Sequence, residues 1–489
     1  SDCWYGDSWS GKDHARTYDS GRSFFDQLKE LRDSVPHLAT TVLKSSCVNS
    51  DYCSWFDESR DCYLCFGSTK LEECMYSELL YDCKNTFDST SSTRLERCYR
   101  CIDSEGSYDC VWGVKLSNCT SCYFSYDLTS CTDCLFSVNL RHKSNYIFNK
   151  QVSPEEFKKQ KEAILGSYAT FSDAFKKFQS LIRGQAIHKF GSLIKCEQST
   201  GNNLVACGKS TNCFDSNGLE ECHNLSYGEK IKDCMDCYAT VHGSELCYEV
   251  FSHNGATNTQ FSIANWDGSY DIQYSYHNRT SHDLFGCAGL VNEEYCILNK
   301  KYSPEEYKVL RETIINDMKE RGEYGEFFPF SWSPFGYNET IAIDYFPLTR
   351  EQALERGYNW RDEMPGTYGK ETMKSDDIPD RIVDVQDSIT KEILACKNCT
   401  KNYKIIKKEL EFYLSMRVPI PRWCPDCRYR LRLTFRNPRH LWDESCRCER
   451  TGHNDHASSV RCPSAFETTY APDRPEAVFC EPCYQQEVV

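Results

Sequence analysis

Two short motifs carry the sharpest chemistry in this chain: CKNC at 396–399 and CPDC at 424–427. Each Cys-x-x-Cys turn places two thiolates on one side of a tight loop, and two such turns complete a tetrahedral sulfur set for zinc. Cys396, Cys399, Cys424 and Cys427 are the expected ligands. Four thiolates leave no open coordination position, so the expected role is structural. A second zinc site is expected where CRC (446–448) meets CEPC (480–483), with Cys446, Cys448, Cys480 and Cys483 as ligands. Cys462 is a further upstream donor, and His453 and His456 are outsiders to the set. A water in place of one thiolate would make such a site hydrolytic.

The residues around the first motif pair are strongly basic. Segment 395–440 holds 12 Lys/Arg and 3 Asp/Glu, a net of +9 in a chain whose total is −15. Read as a strand, Arg428, Arg430 and Arg432 share one face. With Arg436, Arg439 and the rings of Tyr429, Phe435 and Trp442, they form a candidate nucleic-acid stripe of phosphate-binding cations and stacking surfaces. The competing reading is a basic face that docks on the acidic remainder of the chain.

Most of the cysteines lie elsewhere, on a ruler. Written in twelves from Cys62, the chain aligns as CYLCFGSTKLEE, CMYSELLYDCKN, TFDSTSSTRLER, CYRCIDSEGSYD, CVWGVKLSNCTS, CYFSYDLTSCTD and CLFSVNLRHKSN. The first slot holds Cys62, Cys74, Cys98, Cys110, Cys122 and Cys134. Twelve residues cannot hold a strand and a helix, but they hold two or three short strands of a stacked β-solenoid. In such a coil Cys, Ser and Gly are the small side chains that fit inside. Disulfide pairing between stacked turns and soft-metal binding along a thiolate ladder are the alternatives.

The module is duplicated. YIFNKQVSPEEF (146–157) returns as CILNKKYSPEEY (296–307), and each copy runs into a helix start with Ser as N-cap and Pro at the first position. The helices are expected to close the coil ends or pack along their sides, and the front segment to cap the first turn. The expected fold is mainly β with helices. An N-terminal cap segment spans 1–37, a first β-solenoid 38–152, and a helical segment 153–190. A second β-solenoid spans 191–302, a capping helix 303–322, an irregular α+β connector 323–390, and a zinc-ribbon-like C-terminal module 391–489. The acidic run KSDDIPDRIVDVQDS (374–388) reads as a linker.

The tail CKNCTKNYKIIKKELEFYLSMRVPIPRWCPDCRYRLRLTFRNP, with YAPDRPEAVFCEPCYQQEV after it, resembles the zinc-ribbon tail of cysteine-rich proteins from small-genome candidate-phyla bacteria. LFSVNLRHKSNYIFNKQVSPEEF resembles their solenoid part. That resemblance implies architecture and brings no catalytic residue with it. The 12-residue Cys frame also looks like the coil of insect antifreeze proteins, but the regular Thr-x-Thr face is missing.

No apolar run is long enough for a membrane span. GxxxxGK[ST], GxSxG and HExxH do not occur. The expected function is a non-enzymatic binding or scaffold protein with a protein partner, and with nucleic acid or the ribosome as a further partner of the basic tail. A thiol- or metal-dependent enzyme and a secreted disulfide-rich surface protein are the alternatives. Closed thiolate sites need reduced cysteines, which points to the cytoplasm.

Overall fold

The computed structural model describes residues 3–4, 10–38, 46–241, 243–266, 268–450 and 461–489. From Val48 onward the backbone pairs with itself in parallel at a constant offset of 12 residues. Val48 pairs Arg60, Asp51 pairs Tyr63, Ser54 pairs Phe66 and Asp57 pairs Thr69. Each pairing then repeats one turn later, as in Arg60 with Glu72, Tyr63 with Met75, Phe66 with Glu78 and Thr69 with Tyr81. The pairing columns are three residues apart, so each turn has four short sides rather than two or three strands.

A triplet lies beneath the 12-residue repeat. Every third residue is a corner in the left-handed region, for example Tyr52 (φ 56°), Trp55 (φ 58°), Glu58 (φ 44°) and Asp61 (φ 57°). The residue after each corner points inward and is buried: Cys53, Phe56, Ser59 and Cys62. The third residue makes the parallel bridge. A left-handed non-glycine residue costs about 1–2 kcal/mol. Here the cost is offset because the corner N–H is paired with the previous turn, as in Tyr76 to the Tyr63 carbonyl (3.0 Å) and Arg100 to the Phe87 carbonyl (3.0 Å).

The triplet also explains the composition of the interior. The N–H of an inward residue meets the inward side chain one turn earlier. Leu71 N donates to Ser59 Oγ (2.9 Å), Leu80 N to Ser68 Oγ (3.0 Å) and Cys65 N to Cys53 Sγ (3.4 Å). The same hydroxyl donates onward to the carbonyl two residues before it, Ser59 Oγ to Asp57 O at 2.6 Å and Ser68 Oγ to Phe66 O at 2.9 Å. An inward slot thus favours a small side chain that both accepts and donates, which selects Ser, Thr and Cys. A buried N–H left without such a partner costs about 1–3 kcal/mol. The described cysteines of the coil are unbridged thiols.

A second coil follows with a less regular step. Leu193 pairs Leu204 at an offset of 11, Gly201 pairs Cys213 at 12, and Met235 pairs Tyr248 at 13. Thr257 pairs Tyr270 again at 13 before His282 returns to 12 with Glu294. These slips explain why the 12-residue frame fades in this half. Ser keeps the inward role there, as in Cys222 N to Ser210 Oγ (3.2 Å), and Asn joins it: Asn278 N donates to Asn265 Oδ1 at 3.0 Å.

Both coils end the same way. The chain doubles back in an antiparallel pair, Ile147 with Lys150 and Ile297 with Lys300. Asn149 (φ 57°) and Asn299 (φ 64°) occupy these turns. The duplicated sequence motif is therefore the coil terminus.

The helices pack along the sides. Helix α1 (Phe24–Ser34) is capped by Ser23. Helices α2 (Pro154–Leu165) and α3 (Tyr168–Gly184) lie on the first coil. There Phe171 meets Phe124 (ring centroids 5.2 Å) and Phe175 covers Trp112 (4.3 Å). Helix α4 (Pro304–Glu320) starts at Ser303 with a capping box and sets Tyr307 against Tyr295. α1 does not cap the first coil. Phe24 packs on Tyr274 (5.8 Å) and Phe285 (5.1 Å) of the second coil, and Arg16 N donates to the Leu298 carbonyl. The second coil presents the aromatic terminus that matches the apolar face of α1, and chain order carries no record of that.

Beyond α4 come the short helices α5 (Ala342–Tyr345) and α6 (Arg350–Glu355). Thr349 caps α6, and Gly357 (φ 78°) follows its end. The acidic run is not a free linker. Ile378, Ile382 and Val385, with Ile389 just beyond the run, are buried in the core shared with α3 and the tail, and Tyr168 N donates to the Asp380 carbonyl (2.8 Å). Its isoleucines and valine outweigh the acids that dominate its composition. The tail adds helices α7 (Lys407–Met416), α8 (Pro425–Leu433) and α9 (Glu481–Val488).

Candidate metal centres and the tail that carries them

Cys396, Cys399, Cys424 and Cys427 converge as expected, with their sulfurs within 4.8 Å of one another. Cys424 is the N-cap of α8, Pro425 occupies the first turn, and Cys427 lies one turn in. The Cys424 N–H donates to Cys396 Sγ (3.2 Å) and Asn398 Nδ2 to Cys427 Sγ (3.3 Å). Cys399 and Cys424 sulfurs are 3.7 Å apart. Tetrahedral sulfurs around zinc, each at ~2.3 Å, are separated by ~3.8 Å, so the spacing already fits a metal.

The second set is Cys446, Cys462, Cys480 and Cys483. It keeps three of the expected residues and takes Cys462 where the spacing suggested Cys448. A strand pair, Trp442–Ser445 against Ala465–Thr468, continues into Cys446 N to Ser464 O (2.9 Å) and Cys462 N to Cys448 O (2.9 Å). The pairing carries Cys462 to the knuckle, and Cys448 stays buried beside the set without joining it. Cys462 has no Cys-x-x-Cys partner, so local spacing held no signal for it. The geometry repeats that of the first set: Cys480 N donates to Cys446 Sγ (3.3 Å), and the Cys462 and Cys480 sulfurs are 3.8 Å apart. His453 and His456 lie outside the described residues. Among the described residues, three or more metal-ligating side chains converge only in these two sets, so the thiols inside the coils form no comparable centre.

The basic stripe has a different fate. Residues 425–433 form a helix, so Arg428 and Arg432 share a face and Arg430 points away, exposed. Arg428 and Arg432 are 2% exposed and Arg439 7%. They are not available to a phosphate backbone because acids and carbonyls of the coils already engage them. Arg432 donates to Asp88 (3.1 Å), Thr90 Oγ1 (3.1 Å) and the Tyr76 carbonyl (3.0 Å) of the first coil. Arg428 pairs with Asp88 (3.3 Å) and Glu409 (3.1 Å). Glu409 of α7 also accepts from Tyr76 (2.9 Å) and Tyr413 (2.6 Å). Burial pushes the Glu409 carboxyl above its ordinary value against the pull of Arg428. Phe412 stacks flat on Phe87 at 3.8 Å.

Arg436 reaches both coils. It donates to Asp103 of the first (3.1 Å) and to Asp215 of the second, with Tyr345 as third partner (2.8 Å). Arg439 donates to Asp215 (3.2 Å) and lies over the rings of Tyr345 (3.9 Å) and Tyr227 (4.2 Å). Burial alone would raise the Asp215 carboxyl, but Arg436 and Arg439 hold it below the usual range. The tail is thus a bolt, its cations keyed into acids of both coils. Asp88, Asp103, Asp215 and Glu409 were invisible in the sequence as partners, since each is one of many acids on an acidic chain.

No family model and no curated protein matches this sequence. Among solved structures, a "putative acetyltransferase" from Desulfovibrio desulfuricans G20 aligns over 45% of this chain and 63% of its own, at 10% identity and a TM-score of 0.13. The chain spans about 63% of that structure's length, and a likeness this slight carries no argument. Among the described residues no helix is long and apolar enough to cross a membrane.

Proposed function

We propose that this protein is a non-enzymatic scaffold: two short-turn β-solenoids joined by a zinc-ribbon-like tail holding two structural zinc ions. The observation that carries the reading is the use to which the tail is put. Arg428, Arg432, Arg436 and Arg439 are spent on Asp88, Asp103 and Asp215, and each metal set is a four-cysteine cage with no protein-free ligand position. The outer faces of the coils remain open to a protein partner, with rings such as Tyr52, Phe66 and Tyr81 exposed. Free thiols throughout the coils and tail suit a reducing, cytoplasmic compartment.

Cobalt substitution tests the reading. Two cobalt ions per chain with tetrahedral tetrathiolate spectra, unmoved by added azide or cyanide, are expected. A spectral shift on adding either anion reveals an open position and overturns the structural role. RNA and DNA titrations at physiological salt are expected to show no binding.

A further inference from the structure

A cavity of about 350 Å³ lies where the first coil, the end of α3, the second coil and the tail meet. Its walls carry the cations Lys115, Arg183, Arg436, Arg439 and Arg474 against the acids Asp103, Asp215 and Glu476. The acids are already committed. Asp103 and Asp215 bind Arg436, and Glu476 takes both arms of Arg474 (3.1 and 2.6 Å). Lys115 and Arg183 have no carboxylate within ion-pair distance among the described residues, and the cavity keeps a net charge of +2 within an acidic chain.

The remaining groups are arranged around that excess. His188 Nε2 donates to the Ile182 carbonyl (2.8 Å), which leaves Nδ1 as the acceptor facing the hydroxyls of Tyr126 (2.9 Å) and Tyr470 (3.0 Å). Burial pushes the His188 imidazole down to about 4, so it adds no charge near neutrality. Lys115 holds its ammonium 5.8 Å from the centre of the Tyr126 ring; burial disfavours its charge, but Tyr470, Asp103 and Asp127 outweigh that and keep it an ammonium. A positively charged lysine has three N–H groups to give. Phe214 and Phe435 add apolar surface to the lining. Concave sites of this size at the meeting of modules, with an apolar wall and a few polar anchors, are where small molecules bind.

We propose that this cavity is a binding site for a small organic anion, a carboxylate or phosphate with a flat apolar body, held by Lys115 and Arg183. The charged group meets the two cations that lack a carboxylate at ion-pair distance, and the body lies against Phe214 and Phe435. The site is independent of any partner on the outer faces of the coils.

Calorimetric titration of the full, metal-loaded protein tests this, with benzoate, phenyl phosphate and inorganic phosphate as probes. Benzoate or phenyl phosphate is expected to bind at or below about 1 mM, with inorganic phosphate weaker because it lacks the apolar body. Arg183→Gln and Lys115→Gln are each expected to weaken that binding by about tenfold, the effect of losing one charge-assisted contact. Arg183 is exposed and makes no ion pair among the described residues, so its variant is expected to fold as the native chain does. A loss in that variant alone supports the proposal. Absence of saturable binding by either organic probe, or binding that Arg183→Gln leaves unchanged, overturns it.

Discussion

Arg432 of the tail lies 3.1 Å from Asp88 of the first coil, 344 positions earlier, and neither side chain is more than 2% exposed. Two charges removed from water hold together only with good geometry and further hydrogen bonds. Thr90 and the Tyr76 carbonyl supply those to Arg432. Arg432→Ala is expected to destabilise the protein by about 3–5 kcal/mol, because Asp88 keeps its burial and loses a partner. Arg430→Ala, on the exposed face of the same helix, is expected to stay within about 0.5 kcal/mol. Urea midpoints of the two variants check the contrast. Equal effects would remove the bolt as an explanation of the tail.

Metal content separates the two cysteines that compete for the second site. Cys462→Ser is expected to lower bound zinc from two ions per chain to one. Cys448→Ser is expected to leave two, since its thiol lies outside the set. Elemental analysis of purified variants decides this, and the reverse pattern would restore the set that spacing alone suggests.

Ser104 shows what the inward slots do. Its hydroxyl accepts from Leu116 N (3.1 Å) and donates to the Ile102 carbonyl (2.9 Å). Ser104→Ala strands the Leu116 N–H inside the coil and is expected to cost about 1–3 kcal/mol. Ser104→Cys, which keeps an acceptor, is expected to cost less. Thermal unfolding of both variants reads the difference.

Asn149 and Asn299 offer a second check on the coil. Each side chain closes a coil end with a pair of hydrogen bonds, Asn149 to Val138 N and O (2.9 and 2.8 Å) and Asn299 to Ala288 N and O (2.8 and 2.7 Å). The amide stands in for the backbone of a turn that is not there. Asn299→Ala is expected to raise hydrogen exchange at Ala288 N and its neighbours, while the middle turns keep their protection.

His188 sets a pH dependence. Its imidazole titrates near 6.5 when unfolded and at about 4 when buried. The unfolded chain therefore binds the proton first as pH falls. This contribution to stability is present above about 6.5 and is lost between 6.5 and 4, by up to about 3 kcal/mol. Stability curves of the native chain and of His188→Gln are expected to converge across that window. Parallel curves would show that the histidine is not buried neutral.

What the sequence determined by itself is local. The 12-residue repeat, the Asn-Lys coil termini, the Ser-Pro helix starts and the first four-cysteine set all depend on residues close along the chain or on motifs that name their own geometry. The triplet beneath the repeat was also written there, in the Cys, Ser and Leu that recur at every third position, but the 12-residue Cys spacing overshadows it. Only the tertiary structure decided which charges meet. Arg436 joins Asp103 to Asp215, α1 closes the second coil rather than the first, and Cys462 displaces Cys448. A carboxylate or a thiol carries no mark of its distant partner. Its role is set by which surfaces the coils present after they have wound, and by the cost of burying a charge without an opposite one beside it.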